Sequence, residues 1–182
     1  SLLPHIAAAV ALLVITPFMF GITALDAVAA AYPLELSLPF LGVILLTPIY
    51  LPEQESGILD TVCTRKTPYL LVCGIRTIMA AALTVIFIFS FVLMMSFLEC
   101  EIYASHALGS CANAIFLGGL GIFASSFSGY TVIGYILPIL FYVMDLMGGF
   151  EHITMFSMMR NGTTDGKGVL FIIGTSCIAA SL

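Results

Sequence analysis

The chain has 182 residues, of which 61 % are hydrophobic and 8 % are charged, and its formal net charge at pH 7 is −5. Soluble domains carry roughly 25 % charged residues, so this composition excludes an ordinary soluble protein and predicts an integral membrane protein. A helix needs about 20 mostly apolar residues to cross a bilayer, so the length predicts about six spans in one bundle and leaves no room for a separate soluble domain.

Apolar runs separated by proline, glycine and charged residues predict that the fold is all-α and polytopic. Asp26 and Glu35 are assigned to an outer loop after the first span, and residues 125–130 to a tight reversal. The first four residues lack a basic segment, so no secretory signal is expected. The six transmembrane helices are expected at approximately 3–20, 36–51, 75–98, 106–124, 131–147 and 168–182.

A charged segment interrupts the apolar pattern after the second span. Six of the fifteen charged residues lie between positions 52 and 76, namely Glu53, Glu55, Asp60, Arg65, Lys66 and Arg76. Basic residues near span ends favour the cytoplasmic side, so residues 52–68 are predicted to face the cytoplasm. The three basic residues here outnumber Arg160 and Lys167, which this orientation places outside.

The order of two spans, a charged segment and a long third span resembles the permease subunits of type 2 ABC transporters, which export drugs, lantibiotics and other peptides. The matching positions are Glu55, Ser56, Gly57, Ile58, Leu59, Thr67, Pro68 and Arg76, the last in place of the more usual Lys. Residues 156–159 also resemble the small lantibiotic-exporter permeases. The resemblance implies a six-span permease that works with a second permease copy or paralogue and with cytoplasmic ABC ATPase subunits.

The residues of this segment fit a helix on the inner membrane surface. Glu53 and Glu55 would lie in the first turn after Pro52, where carboxylates offset the positive end of the helix dipole. The apolar side chains that follow would share one face and fit a partner protein, whereas a plain solvated loop is the alternative. The expected ATPase-coupling residues are Glu53, Glu55, Gly57, Ile58, Leu59, Val62, Arg65 and Lys66.

The segment 148–167 is apolar enough to stay at the membrane and polar enough to leave its core. It is predicted to be a re-entrant or amphipathic segment at the outer rim, and a simple interfacial loop is the alternative. By the resemblance, this segment would close the outer end of the transport pathway. The expected outer-gate residues are Phe150, Met155, Phe156 and Met159.

Small residues at Gly121, Ser125 and Gly129 recur every fourth position, a pattern that lets membrane helices approach closely. We therefore expect these three residues to form a helix-packing ridge. Cys100 and Cys111 flank the turn between the third and fourth spans, and their spacing leaves a disulfide open.

Several chemical functions lack their motifs. The three histidines are isolated, no metal-binding spacing or catalytic set is present, and no Walker A sequence occurs. We therefore expect a non-enzyme without its own cofactor, metal site or nucleic-acid partner, in which ATP and Mg²⁺ bind the partner ATPase.

The function predicted is export of a hydrophobic or amphipathic substrate, such as a peptide antibiotic or a lipid-like molecule. The resemblance implies a multi-pass location in a bacterial plasma membrane. The alternative is a non-transporting immunity or sensory subunit that binds a peptide in the bilayer.

Overall fold

The structure is a computed structural model that describes residues 3–50, 69–149, 154–164 and 166–181. The all-helical class is confirmed, since these residues form helices and connecting turns without a strand among them. We number the described α-helices α1 (Leu3–Phe20), α2 (Ala27–Leu36), α3 (Pro39–Leu46), α4 (Tyr69–Phe97), α5 (Ala104–Ser128), α6 (Thr131–Leu146), α7 (Ser157–Asn161) and α8 (Lys167–Ser181). A 3-10 helix, Thr47–Tyr50, follows α3.

Among the residues that the structure describes, four helical stretches are long and apolar enough to cross a membrane. They are Leu3–Phe20, Ala27–Ile49, Val72–Phe97 and Ala104–Ser128, and the second combines α2, α3 and part of the 3-10 helix. Helices α6 and α8 are also apolar but have only 16 and 15 residues.

Backbone hydrogen bonds show which connections meet at the same end of the bundle. The Ala24 N–H donates to Leu98 O at 3.1 Å, and the Glu101 N–H donates to Leu25 O at 2.9 Å. Residues 21–26 and 98–103 therefore lie together, at the end that also holds α7, and we call this the α7 end. At the opposite end, the Ser126 hydroxyl donates to Ser181 O at 3.2 Å.

Helix α5 is the centre of the bundle. In its most apolar stretch 78 % of the residues are buried, against 11 % in α1. Glycines bring its backbone against three neighbouring helices, because a Cβ at any of these positions would overlap the facing backbone or side chain. The facing glycines are Gly118 with Gly42 of α3, Gly119 with Gly174 of α8, and Gly121 with Gly134 of α6.

The predicted packing ridge divides into two roles. Gly121 and Ser125 are buried where α5 meets α6. Gly129 instead ends α5 as its C-cap with φ of +72°, and no atom lies within 4 Å of the place a Cβ would take. Its conformation, which glycine adopts without strain, rather than helix packing accounts for this residue.

The second span begins earlier than predicted, and this corrects the place of Glu35. Asp26 caps α2 by accepting a hydrogen bond from the Ala29 N–H at 3.1 Å, so the helix starts at Ala27. The stretch then breaks near Pro39, which has no N–H to continue the helical hydrogen bonds. Glu35 thus lies inside a buried helix and not in an outer loop.

Two other boundaries also move outward. Helix α4 begins at Tyr69, and α5 continues to Ser128, so only Gly129 and Tyr130 form the reversal into α6. Near the other end of α5, Cys100 and Cys111 are both buried free thiols, so the structure contains no disulfide between them.

Candidate functional site

A group of polar side chains lies buried in the apolar bundle beneath α7. We call it the polar cluster, and it consists of Glu35 on α2, Asn113 on α5, Asp145 on α6 and Lys167 on α8. The first three side chains belong to fully buried residues, and Lys167 is 5 % exposed. Charged residues inside a membrane are costly, so their presence marks a functional-site hypothesis.

The ion pair of Glu35 and Lys167 is the centre of the cluster. Lys167 Nζ donates to Glu35 Oε1 at 2.6 Å, to Asn113 Oδ1 at 3.1 Å and to the carbonyl oxygen of Met155. An ammonium group has three N–H donors, so all of them have partners. The buried positive charge is therefore satisfied within the protein.

Glu35 also holds the first turn of α7. Its Oε1 accepts from the Met158 N–H at 3.1 Å, and its Oε2 accepts from the Met159 N–H at 2.9 Å. The first N–H groups of a helix have no partner within that helix. A side chain from α2 thus supplies the acceptors that α7 needs inside the bundle.

Both polar groups of the Met155 backbone are hydrogen-bonded. Asn113 Nδ2 donates to its carbonyl oxygen at 2.8 Å, and Asp145 Oδ2 accepts from its N–H at 2.7 Å. Both groups would otherwise be unsatisfied polar atoms away from water, each at a cost of roughly 1–3 kcal/mol. The polar cluster therefore stabilises an irregular backbone segment that could not stay in the bundle without it.

The depth of these residues shows how far segment 154–161 extends into the bundle. Glu35 lies eight residues after the start of α2, and Asn113 nine residues after the start of α5. At 1.5 Å per residue, both are about 12 to 14 Å along their helices from the α7 end. Helix α6 ends and α8 begins at the same cluster, which explains why these two helices are short.

Arg160 binds the end of α6. Its Nη2 donates to the carbonyl oxygens of Asp145 and Leu146, both at 2.9 Å. A cation at this position satisfies carbonyl groups that end a helix and offsets the negative end of its dipole. The guanidinium also lies 5.8 Å from the centre of the Phe156 ring.

Apolar side chains surround the same segment. Met155 and Phe156 are fully buried, and the Phe156 ring meets the Tyr142 ring edge to face with centroids 5.2 Å apart. The Tyr142 hydroxyl donates to Leu36 O at 2.9 Å, and the centroid of the Tyr142 ring lies 4.7 Å from that of the Phe40 ring. The segment is thus packed against both α6 and the break between α2 and α3.

The charges of the polar cluster do not balance within the buried residues. Two carboxylates, on Glu35 and Asp145, face one ammonium, because Arg160 lies at the exposed rim. Within the described part of the chain, Asp145 Oδ1 and the Ser157 hydroxyl have no hydrogen-bond partner although both atoms are buried. Burying such groups without a hydrogen-bond partner costs free energy.

The predicted site residues fall into separate places. Of the residues predicted to form an outer gate, Met155, Phe156 and Met159 lie on segment 154–161, with Met159 only partly buried, and Phe150 lies outside the described residues. The entire ATPase-coupling set also lies outside them: Glu53, Glu55, Gly57, Ile58, Leu59, Val62, Arg65 and Lys66.

The polar cluster is not among the site residues that the sequence predicts. The sequence predicts Glu35 in an outer loop and Lys167 on the outer face, because a lone charge near a proline or glycine resembles the end of a span. A usable signal was available at Glu35 and Asn113, which have apolar residues on both sides. Their partners lie far away along the chain.

The fold defines the class of this protein as all-helical, and four helices in the described part of the chain are long and apolar enough to cross a membrane. Comparison with protein-family models, curated proteins and solved structures finds no match to the chain. In the residues that the structure describes, no group of three or more His, Cys, Asp or Glu side chains is placed to hold a metal ion.

Proposed function

We propose that this protein is the permease subunit of an ATP-driven ABC exporter and that it moves a hydrophobic or amphipathic substrate out of the membrane or cell. The observation that carries the proposal is the re-entrant segment 154–161, held in the bundle by the polar cluster. A membrane protein retains such a costly arrangement where it lines or closes a pathway. The resemblance in residues 55–76 adds the ATPase partner.

In this proposal the re-entrant segment is the gate at the outer end. All six apolar helices cross the membrane, with α6 and α8 spanning the remaining depth below the gate. A second permease copy or paralogue provides the other wall of the pathway, and the assembly lies in a bacterial plasma membrane.

Helices α2 and α3 would connect the gate to the ABC ATPase. Glu35 binds the gate, and the same helical stretch continues through the Pro39 break to Tyr50, two residues before the predicted coupling segment begins. A movement of residues 52–68 would therefore be transmitted along the chain to the carboxylate that holds α7. Release of Glu35 from Met158 and Met159 would open the outer end.

The test is association with an ABC ATPase and transport by the assembled complex. Replacing Ile58 and Leu59 with Asp should abolish both, because it places charge on the face expected to bind the ATPase. Thr64→Asp, on the opposite face of the same predicted helix, is the matched control and should leave both unchanged. Normal transport by the Ile58→Asp, Leu59→Asp variant would contradict the coupling role, and failure to find any associated ATPase would favour a non-transporting immunity or sensory subunit.

A further inference from the structure

A groove between α5 and α8 opens at the side of the bundle near the α7 end. Its volume is about 410 Å³, and its walls include Leu108, Gly109 and Ala112 of α5 and Gly168 and Phe171 of α8. The groove closes farther along, where Gly119 meets Gly174 and the two backbones come into contact. The two helices thus form a wedge-shaped space that is widest at the end of the polar cluster.

The side of this groove is continuous with the surface that faces the bilayer. Leu108 is 65 % exposed on α5, which is long and apolar enough to cross a membrane, and Phe171 is 44 % exposed on the shorter apolar helix α8. Gly168 leaves open space between them, since no atom lies within 4 Å of where its Cβ would be. Hydrocarbon is therefore the material in direct contact with the opening.

The groove is apolar along its length and polar at one end. Lys167 contributes its aliphatic stem, whose Cε lies 3.6 Å from the Cβ position of Gly109, because its ammonium is bound by the polar cluster. Ser105 and Thr164 stand where the groove adjoins a smaller cavity of about 130 Å³ that reaches His106. This order of polar and apolar groups matches that of a lipid at a membrane interface.

We propose that the groove binds one acyl chain of a bilayer phospholipid, with the ester end of the chain near Ser105 and Thr164. The driving force is not removal from water, since lipid tails are as apolar as the groove walls. An empty space would deprive its lining of dispersion contacts, and an unbranched chain from the adjacent leaflet restores them. The bound lipid completes the wall behind Lys167 and so supports the side chain that holds the re-entrant segment.

The test uses the full chain in phosphatidylcholine vesicles that contain a phospholipid with a diazirine in the middle of one acyl chain. After irradiation, labelled residues are identified by mass spectrometry. We expect label on Gly109 and Ala112, which are buried at the floor of the groove and out of reach of lipid that only surrounds the protein. Label restricted to exposed Leu108 and Phe171 would overturn the proposal.

Gly168→Leu places a side chain in the groove at a position where no atom lies within 4 Å of the Cβ, so it should abolish the label on Ala112. Gly74→Leu on α4 is the matched control, because its Cβ position is also open, and it should leave that label intact. Persistent labelling of Ala112 in Gly168→Leu would refute the assignment. In the unmodified protein, an unlabelled Ala112 together with a crosslink from this position to a second copy of the chain would also refute the assignment. That result would mean that protein, and not lipid, covers the groove.

A second probe keeps the proposal testable on the unmodified protein. A phospholipid with the diazirine in its headgroup should label the neighbourhood of Ser105 and Thr164 and leave Ala112 unlabelled. The reverse pattern would show that the groove takes a polar group and would overturn the proposed orientation.

Discussion

The two halves of α5 are held by different kinds of contact. Around Gly118 and Gly121 the helix meets its neighbours backbone to backbone, with no room for a side chain. Around Asn113 it meets them through hydrogen bonds and a buried ion pair. A close-packed glycine contact has a single arrangement, whereas polar groups can exchange partners, so we expect the glycine half to stay rigid and the α7 end to move.

Removing the buried cation should break the polar half most severely. Lys167→Met leaves the Glu35 carboxylate unpaired in an apolar interior, at an expected cost of about 3–5 kcal/mol in the free energy of unfolding. The measurement is an unfolding titration of the protein in detergent micelles. Arg160→Met removes the same charge from an exposed side chain and should cost much less, so equal losses in the two variants would contradict the prediction.

The same unfolding titration tests whether Lys167→Met is destabilised by the unpaired charge of Glu35 or by the changed shape of the side chain at position 167. Adding Glu35→Gln to Lys167→Met removes the uncompensated carboxylate, so the double variant should be more stable than Lys167→Met alone. A further loss of stability in the double variant would mean that the charge of Glu35 is not what destabilises the single one.

The glycine half should be sensitive to a single methyl group. A Cβ at position 42 would overlap the backbone of Ala114, so Gly42→Ala should cost about 1–3 kcal/mol by forcing α3 away from α5. Gly74→Ala, where the space is open, should instead be neutral or stabilising, because Ala favours the helix. The unfolding titration compares the two variants. An unchanged stability of Gly42→Ala would show that α3 and α5 can separate enough to accommodate the methyl group.

A smaller effect is expected where the polar half meets the break between α2 and α3. Tyr142→Phe removes the hydrogen bond to Leu36 O and should cost about 0.5–1.5 kcal/mol, because the carbonyl is left without that donor. Tyr130→Phe, at an exposed ring that precedes α6, is the control and should have no effect. Equal melting temperatures for all three proteins would mean that the hydrogen bond does not contribute.

The smallest effect is expected at Thr47, at the glycine half. Among the described residues its buried hydroxyl has no partner, so Thr47→Val removes an unsatisfied group and keeps the shape of the side chain. We expect a free energy of unfolding that is unchanged or slightly raised. A loss above about 1 kcal/mol would mean that this hydroxyl makes a contact that stabilises the protein.

The helices were largely predictable from the sequence, whereas their partners were not. The apolar run at α6 gave bounds within one residue of Thr131–Leu146, since length and hydropathy are local properties. Glu35 was misplaced because one acidic residue beside Pro33 and Pro39 resembles a loop, and only its partners make it tolerable inside the bundle. Those partners lie 123 to 132 residues away.

The small residues show the same limit. The four-residue spacing of Gly121, Ser125 and Gly129 indicated a ridge, but the same spacing continues past the end of the helix, where Gly129 has a positive φ. Gly118 and Gly119 contact different helices from Gly121, and only the arrangement of helices around α5 reveals this. Spacing predicts which residues share a face and leaves open what that face contacts.

The separation of Glu35 and Lys167 along the chain has a consequence for biosynthesis. At about 5–20 residues per second, the ribosome reaches position 167 some 7 to 26 s after it has made position 35. During that interval α2 carries a carboxylate without the cation that neutralises it. We therefore expect α2 to remain at the insertion machinery or the membrane surface. Helix α2 can therefore reach its final position in the bundle only after α8 has been made. An intermediate released after synthesis of α2 and before synthesis of α8 would expose a chain that membrane proteases can recognise.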